Sequence, residues 1–419
     1  MLTGFLLLGA LSFSEPHSQS GAATDGFEHR IIFLGDGGAW YEAGPLGAAQ
    51  AALAGQIRRD FWPGRTHVFW LGDNVYDHGL PPASGPCSPN TDRQRRERVQ
   101  GEAALRWQVE VSPDPSRVLL VAGNHDWAAG CWCGLARRIE QETFVERTFP
   151  GVQLLPDQGC PGPTVVDDLP GIRLIAYDSE WLLREKHKPI AGCTAGLRLA
   201  AEASAEDVRQ AFLQSLEEAI RSRGDRRVLL AAHHPLRTKG PHGGHGSGWR
   251  WIFPFRDLSG PWRFIPVPGL NLIRVAFPIR QDLASGPYKR MIRDLEGVVD
   301  RTGPGSVLAH LAGHERSLQL FAPDKRGIVQ IVSGTAAKRT AVRRARGAVS
   351  GKAAMGLEPL FAESLHGYVR LDFGKGGARL EVLEADPSGI KPPLACFWLE
   401  GQSPEPTCPS LAAPLGSRR

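Results

Sequence analysis

Five short apolar runs punctuate the chain, and each ends in a cluster of polar side chains. RIIFL (30–34) leads into Gly35-Asp36-Gly37-Gly38, and HVFWL (67–71) into Gly72-Asp73-Asn74-Val75-Tyr76. RVLLVA (117–122) leads into Gly123-Asn124-His125-Asp126, RVLLAA (227–232) into His233-His234-Pro235, and SVLAHLA (306–312) into Gly313-His314-Glu315-Arg316. Short runs of Val, Ile and Leu bounded by Gly or polar residues read as strands buried on both faces. Helical periods lie between several of them. Val208, Phe212, Leu216 and Ile220 form one stripe between a Ser204 cap and a Gly224 stop. A second helix is expected over 286–300, with Tyr288, Met291, Ile292, Leu295 and Val299 inward, and residues 367–383 read as a closing hairpin. Alternating strand and helix predicts an α/β domain with a largely parallel sheet, whose ligand crevice lies beyond the carboxyl ends of the strands.

A Gly-Asp or Gly-Asn pair after one strand is ordinary turn chemistry. Five such clusters, carrying Asp36, Asp73, Tyr76, Asn124, His125, His233 and His314, exceed what turns need and point to a metal site. The residue types suit phosphate ester hydrolysis. The ester is anionic and repels hydroxide, so cations are needed to neutralise its oxygens and to acidify water. Carboxylates can bridge two cations, and neutral imidazoles complete a site without adding negative charge. A nearby His can protonate the leaving alkoxide.

The ordered set GDGG, GDNVY, GNHD, HHP and GHE resembles the calcineurin-like metallophosphoesterases. It is most similar to the purple acid phosphatases, in particular their small tartrate-resistant form. Gly38 stands where most of the superfamily has His, and Tyr76 follows Asp73 by three residues. The resemblance covers roughly residues 28–375. It implies a four-layer αββα sandwich of two mixed β-sheets flanked by helices, holding one or two metal ions (Fe, Zn or Mn). It also implies that Asp73 bridges two metals, that Asn124, His233 and His314 complete the second site, and that Asp36 and Tyr76 hold the first. His125 would contact phosphate or protonate the leaving group. His242, nine residues after His233 in the segment PHGGH, would be a further active-site residue; the other reading of His242 and His245 is a flexible Gly/His loop.

Arg316 departs from the pattern, because the family places a first-site ligand there. A guanidinium stays protonated and cannot coordinate a metal. Three readings remain open: a weakened two-metal enzyme, a one-metal enzyme with Arg316 clamping phosphate, or a binding protein with little turnover. His310, four residues before His314, is expected in the core or behind the site. Ser333-Gly334-Thr335 resembles the family's last active-site loop, which would bring Lys338 or Arg339 towards an anionic substrate.

The bulk of the chain is ordinary globular material: 419 residues, 42% hydrophobic, 22% charged and +5 in formal charge. The basic clusters at 338–346 and 289–293 read as solvated faces. Residues 1–25 carry a short apolar core followed by Ser, Gly and Ala, which suits an export signal and is too short to span a bilayer. Seven cysteines without paired CxxC motifs suit two or three disulfides and one spare thiol, with Cys396–Cys408 the favoured pair. Residues 246–282, crowded with Trp, Phe, Pro and Arg, read as a packed lid over the site or as an interfacial membrane patch. A Pro-rich tail spans 384–419. The expectation is therefore an exported protein, periplasmic, envelope-associated or secreted, with a metallophosphoesterase domain over 28–383. It would hydrolyse a phosphorylated small molecule, a phosphomonoester, by metal-activated hydroxide. A phosphodiesterase or nucleotide pyrophosphatase, and a low-turnover phosphate-binding envelope protein, are the alternatives. No nucleic-acid partner is expected.

Overall fold

A computed structural model describes residues 26–40, 43–186, 188–243, 279–342, 344–346, 352, 356, 358–388, 391–401 and 408–411. The export-signal reading of 1–25, His245, and the lid or membrane reading of the insertion up to 278 lie outside the described residues.

The first sheet has seven strands: β1 (Phe27–Leu34), β2 (Thr66–Leu71), β3 (Val118–Val121), β4 (Gln153–Leu155), and later β13 (Gly367–Gly374), β14 (Gly377–Glu384) and β15 (Ala395–Glu400). The second has eight: β5 (Thr164–Val166), β6 (Ile172–Ala176), β7 (Arg227–Ala231), β8 (Ala309–Ala312), β9 (Leu318–Phe321), β10 (Val329–Ser333), β11 (Ala345–Arg346) and β12 (Pro359–Glu363). Their orders are β15-β14-β13-β1-β2-β3-β4 and β11-β12-β9-β10-β8-β7-β6-β5. Within them β1–β2–β3–β4 run parallel, as do β6–β7–β8–β10, while the outer pairings are antiparallel. Both sheets are mixed, a step beyond the single largely parallel sheet that the apolar runs suggest.

The two faces of each strand are both apolar because both are covered. Along β1 and β2, Ile31, Phe33, Phe69 and Leu71 point into a core shared by the two sheets. Their neighbours Ile32, Leu34, Val68 and Trp70 point outward against α1 (Gly44–Asp60), α2 (Asp92–Glu110) and α3 (Gly134–Thr148). The second sheet is covered by short α4 (Ser179–Leu183) and α5 (Ala191–Thr194), then α6 (Ala205–Arg221) and α7 (Gly286–Thr302). The result is a four-layer αββα sandwich. The Ser204 cap closes a capping box with Asp207, and Val208, Phe212, Leu216 and Ile220 are all buried. In α7 the inward residues are Tyr288, Met291, Leu295, Val298 and Val299, with Ile292 packed at the edge. The expected strand at 306–312 is shorter, since Gly303 and Gly305 take positive φ (96° and 77°) and turn the chain out of α7 before β8 begins.

The Pro-rich tail supplies β15, tied to its own end by Cys396–Cys408. Cys87–Cys133 and Cys160–Cys193 are the other disulfides, and Cys131 is the exposed free thiol. Three disulfides point to an oxidising compartment, extracellular or in the cell envelope. Among the described residues no helix is long and apolar enough to cross a membrane.

Candidate metal centre

The carboxyl ends of β1, β2 and β3 in one sheet face those of β7 and β8 in the other, so the five polar clusters meet. Asp36 N–H donates to the Gly72 carbonyl at 2.9 Å and Gly313 N–H to the His233 carbonyl at 3.0 Å. Close approach depends on missing side chains. A Cβ on Gly72 would come within 2.6 Å of His233 Nδ1, and one on Gly123 within 2.4 Å of Asp73 Oδ1. Asp36, Asp73, His314 and Arg316 themselves take positive φ, between 50° and 71°. Four non-glycine residues in a strained region at one place mark a site whose geometry the surrounding fold imposes.

Three donor atoms converge in one half of the centre, and Asp73 joins them beside His233. His233 Nε2 lies 3.2 Å from Asn124 Oδ1, 3.2 Å from His314 Nδ1 and 3.3 Å from Asp73 Oδ1, and His314 Nδ1 is 3.2 Å from Asn124 Oδ1. A tetrahedron of ligands at ~2.0–2.1 Å from a metal has edges of roughly 3.3–3.4 Å, close to the spacing within the Asn124–His233–His314 triangle. The imidazole of His233 is held in the right tautomer. Its Nδ1–H donates to the Leu71 carbonyl at 2.8 Å, leaving the Nε2 lone pair aimed at the cluster. Burial holds His233 below its ordinary pKa, and burial together with the neighbouring imidazoles holds His314 well below its own. Both rings are therefore neutral, as ligands must be. These residues fit a metal ion.

The other half differs. Tyr76 donates its hydroxyl to Asp36 Oδ1 at 2.9 Å, and Asp36 is fully buried. Arg316 enters from the loop after β8 with Nε 3.7 Å from Asp36 Oδ1 and its guanidinium 4.9 Å from the Tyr76 ring centre. Its Nη2 donates to His125 Nε2 at 3.1 Å, while His125 Nδ1–H donates to the Asp77 carbonyl at 2.6 Å. In this arrangement His125 Nε2 is an acceptor and offers no proton. Burial and Arg316 lower its pKa, against the pull of Asp73. Asp73 accepts from the His125 backbone N–H at 3.0 Å. Burial and Asp73 push Asp36 up, and Arg316 opposes them. Of the adjacent carboxyls, Asp73 keeps its charge, with its pKa held down by His233, His125 and Arg316 despite burial.

His242 stacks against His314, ring centres 4.3 Å apart, and its Nδ1 lies 3.2 Å from Asp282 Oδ1. Lys338 stands at the rim, 3.8 Å over the Tyr76 ring and 3.0 Å from Asp77 Oδ1, whereas Arg339 faces solvent. His310 packs away from the centre, with Nε2 on the Tyr177 hydroxyl at 2.7 Å and Nδ1 on Gln330 Oε1 at 3.1 Å.

Two supporting groups escaped the motif reading. Asp126 accepts from the backbone N–H groups of Gly123, Asn74 and Val75, lacing together the loops that carry Asp73 and Asn124. Its place in GNHD was the available signal. His234 lies beside His233 and His314, yet both its nitrogens are used: Nδ1 meets Ser179 Oγ at 2.8 Å and Nε2 meets Gln281 Oε1 at 2.5 Å. Gln281 Nε2 and Arg280 Nη2 then donate to buried Glu180. Nothing local in the sequence foretells that link across 100 residues.

No protein-family profile matches the chain, and no curated protein does. Among solved structures it is similar to GAP50, the anchor in the inner membrane complex of Plasmodium, at 12% identity over 90% of each chain with a TM-score of 0.49. PhoD is 11% identical over 91% of this chain and 73% of its own, at a TM-score of 0.47. The phosphopantetheinyl hydrolase PptH from Mycobacterium tuberculosis is 13% identical over 74% of this chain and 90% of its own, at 0.32. The chain itself forms a four-layer sandwich whose polar clusters lie on the loops after β1, β2, β3, β7 and β8.

Proposed function

We propose that the protein is a metal-dependent phosphoester hydrolase acting on phosphomonoesters outside the cytosol. One observation carries the reading: Asn124, His233 and His314, from three loops, hold their donor atoms 3.2 Å from one another, with Asp73 Oδ1 3.3 Å from His233 Nε2 and both imidazoles neutral. A carboxylate, an amide oxygen and two imidazoles suit Zn, Mn or Fe. A divalent ion bound there would supply Lewis acidity, lowering the pKa of water and neutralising charge on an ester oxygen.

The chain's own residues prepare the rest. Arg316 and Lys338 present positive charge on the side of Tyr76 and Asp36, where an anionic ester would need it. His242, stacked on His314, is the side chain proposed to serve the leaving oxygen, oriented by Asp282. Asp73 anchors the loop of His125 through the backbone N–H, and Asp126 locks both loops, so little rearrangement is needed when substrate enters.

Arg316 also supports a second reading, a phosphate-binding protein with little turnover. Release of p-nitrophenol from p-nitrophenyl phosphate and from its bis ester, with Zn, Mn or Fe added, separates the readings. Faster turnover of the monoester supports the proposal, faster turnover of the diester supports a phosphodiesterase, and phosphate binding without turnover of either removes the enzyme reading.

A further inference from the structure

From the disagreement between the two halves of the centre, we infer that it is built for a single metal ion, with the Arg316 guanidinium supplying in the Asp36–Tyr76 half the positive charge that receives an anionic ester oxygen. The inference rests on the metal-hydrolase reading and deepens it.

The Asp73–Asn124–His233–His314 half has three donor atoms gathered 3.2 Å from one another, Asp73 Oδ1 3.3 Å from His233 Nε2, and no cationic side chain among them. The Asp36–Tyr76 half is arranged around a cation the chain already owns. Asp36 Oδ1 faces Arg316 Nε at 3.7 Å and accepts from the Tyr76 hydroxyl at 2.9 Å, so the phenol is engaged as a donor and not presented as a ligand. Arg316 Nε and Asp36 Oδ2 are both buried without a hydrogen-bond partner among the described residues. Arg316 Nε–H is therefore a buried donor still open beside Asp36, and an incoming phosphoryl oxygen, an acceptor, suits the guanidinium fork. Arg316 is fixed rather than loose: its own carbonyl accepts from Thr340 N–H at 2.8 Å, its Nη2 from the other side is anchored on His125, and its side chain is only 24% exposed. A guanidinium cannot give up its proton to make way for a second metal. Lys338, 3.8 Å over the same Tyr76 ring, extends the positive edge towards solvent and so marks the direction from which an anion arrives.

The test is metal stoichiometry of the full chain, with inorganic phosphate as the anion probe. Purified protein is loaded with excess Zn²⁺, dialysed and analysed for metal per chain, and phosphate binding to the loaded protein is followed by calorimetry. The expected result is one equivalent, rising towards two in Arg316→His. In Arg316→Gln the one equivalent is kept while phosphate affinity falls by about tenfold or more. Two equivalents in the unaltered chain overturn the inference and leave the hydrolase reading standing. No retained metal overturns the hydrolase reading itself. One equivalent with phosphate affinity unchanged in both Arg316→Gln and Arg316→Lys overturns the anion role of Arg316; circular dichroism of each variant establishes that it is folded before the comparison is made.

Discussion

In metal-free protein, Arg316→Gln should carry a stability cost that grows as pH rises, because Asp36, one of the partners it deserts, can take up a proton. The loss at Asp73 and His125 adds a nearly constant part. Arg316 Nε is 3.7 Å from Asp36 Oδ1, and the side chains are 24% and 0% exposed. Two unit charges at that separation attract by about 4 kcal/mol at an effective dielectric near 20, which sets the ceiling. The folded pKa of Asp36 is already raised by burial and by Asp73, with Arg316 holding it down. Below that folded pKa the carboxyl is neutral in both proteins and the ion pair contributes nothing. Above it the unaltered chain ionises Asp36 beside Arg316, whereas the variant keeps the proton to still higher pH. A raised folded pKa gives stability that is present at low pH and lost as pH climbs, so the variant's deficit opens above the usual carboxylate range. It grows by about 1.4 kcal/mol per pH unit until the ceiling is reached. The assay is the thermal midpoint of chelator-treated protein, variant against unaltered chain, at half-unit steps from pH 5 to pH 9. A full deficit corresponds to roughly 5 °C for a chain of this size. A deficit that stays flat, or shrinks towards alkaline pH, refutes the Arg316–Asp36 pairing.

Three further outcomes follow from the same geometry. His233→Ala and His314→Ala each remove one of the three gathered donors and should lower retained metal, measured by equilibrium dialysis, by more than the ~10–100-fold that loss of a supporting partner costs; retention equal to the unaltered chain ends the ligand assignment. Asp126→Ala strands the N–H groups of Gly123, Asn74 and Val75 and should cost about 2–4 kcal/mol in urea unfolding, with weaker metal retention because two ligand loops loosen together; a full-strength variant would show those loops are held otherwise. Burial lowers the pKa of His67 to about 4 and that of His310 to about 3. Their unfolded forms gain protons near pH 6.5 while the folded forms do not, so stability is lost as pH falls below about 6.5. His310→Gln should flatten the dependence of urea midpoint on pH between 6.5 and 4.5, and an unchanged slope removes His310 as a source of the acid sensitivity.

Much of the scaffold could be read along the chain. The apolar runs became β1, β2, β3, β7 and β8 because their Val, Ile and Leu residues face covered surfaces on both sides, and a strand so covered shows no polar alternation. The stripe from Val208 to Ile220 became a helix because its capping box and its spacing agree. The short strands β4, β5 and β11 carry too few residues for any period to show, and β15 is hidden in a Pro-rich tail whose pairing with β14 is a long-range event. Division into two sheets came from the resemblance carried by the motif set and not from the strands themselves, since a strand's composition says that both faces are covered and not by what.

The candidate centre divides along the same line. Residue identity and order determined that Asp36, Asp73, Asn124, His233 and His314 would each sit just past a buried strand, and that residue 316 could not be a ligand, because ionisation and donor chemistry belong to the side chain itself. Tertiary structure alone decided that His233 and His314 share one cluster while His234, equally close, spends its nitrogens on Ser179 and Gln281. It also decided that Arg316 turns inward to Asp36 and His125 instead of swinging to solvent. Those outcomes depend on distances of a few tenths of an ångström between loops from two different sheets, and such distances arise only when both sheets close over their common core.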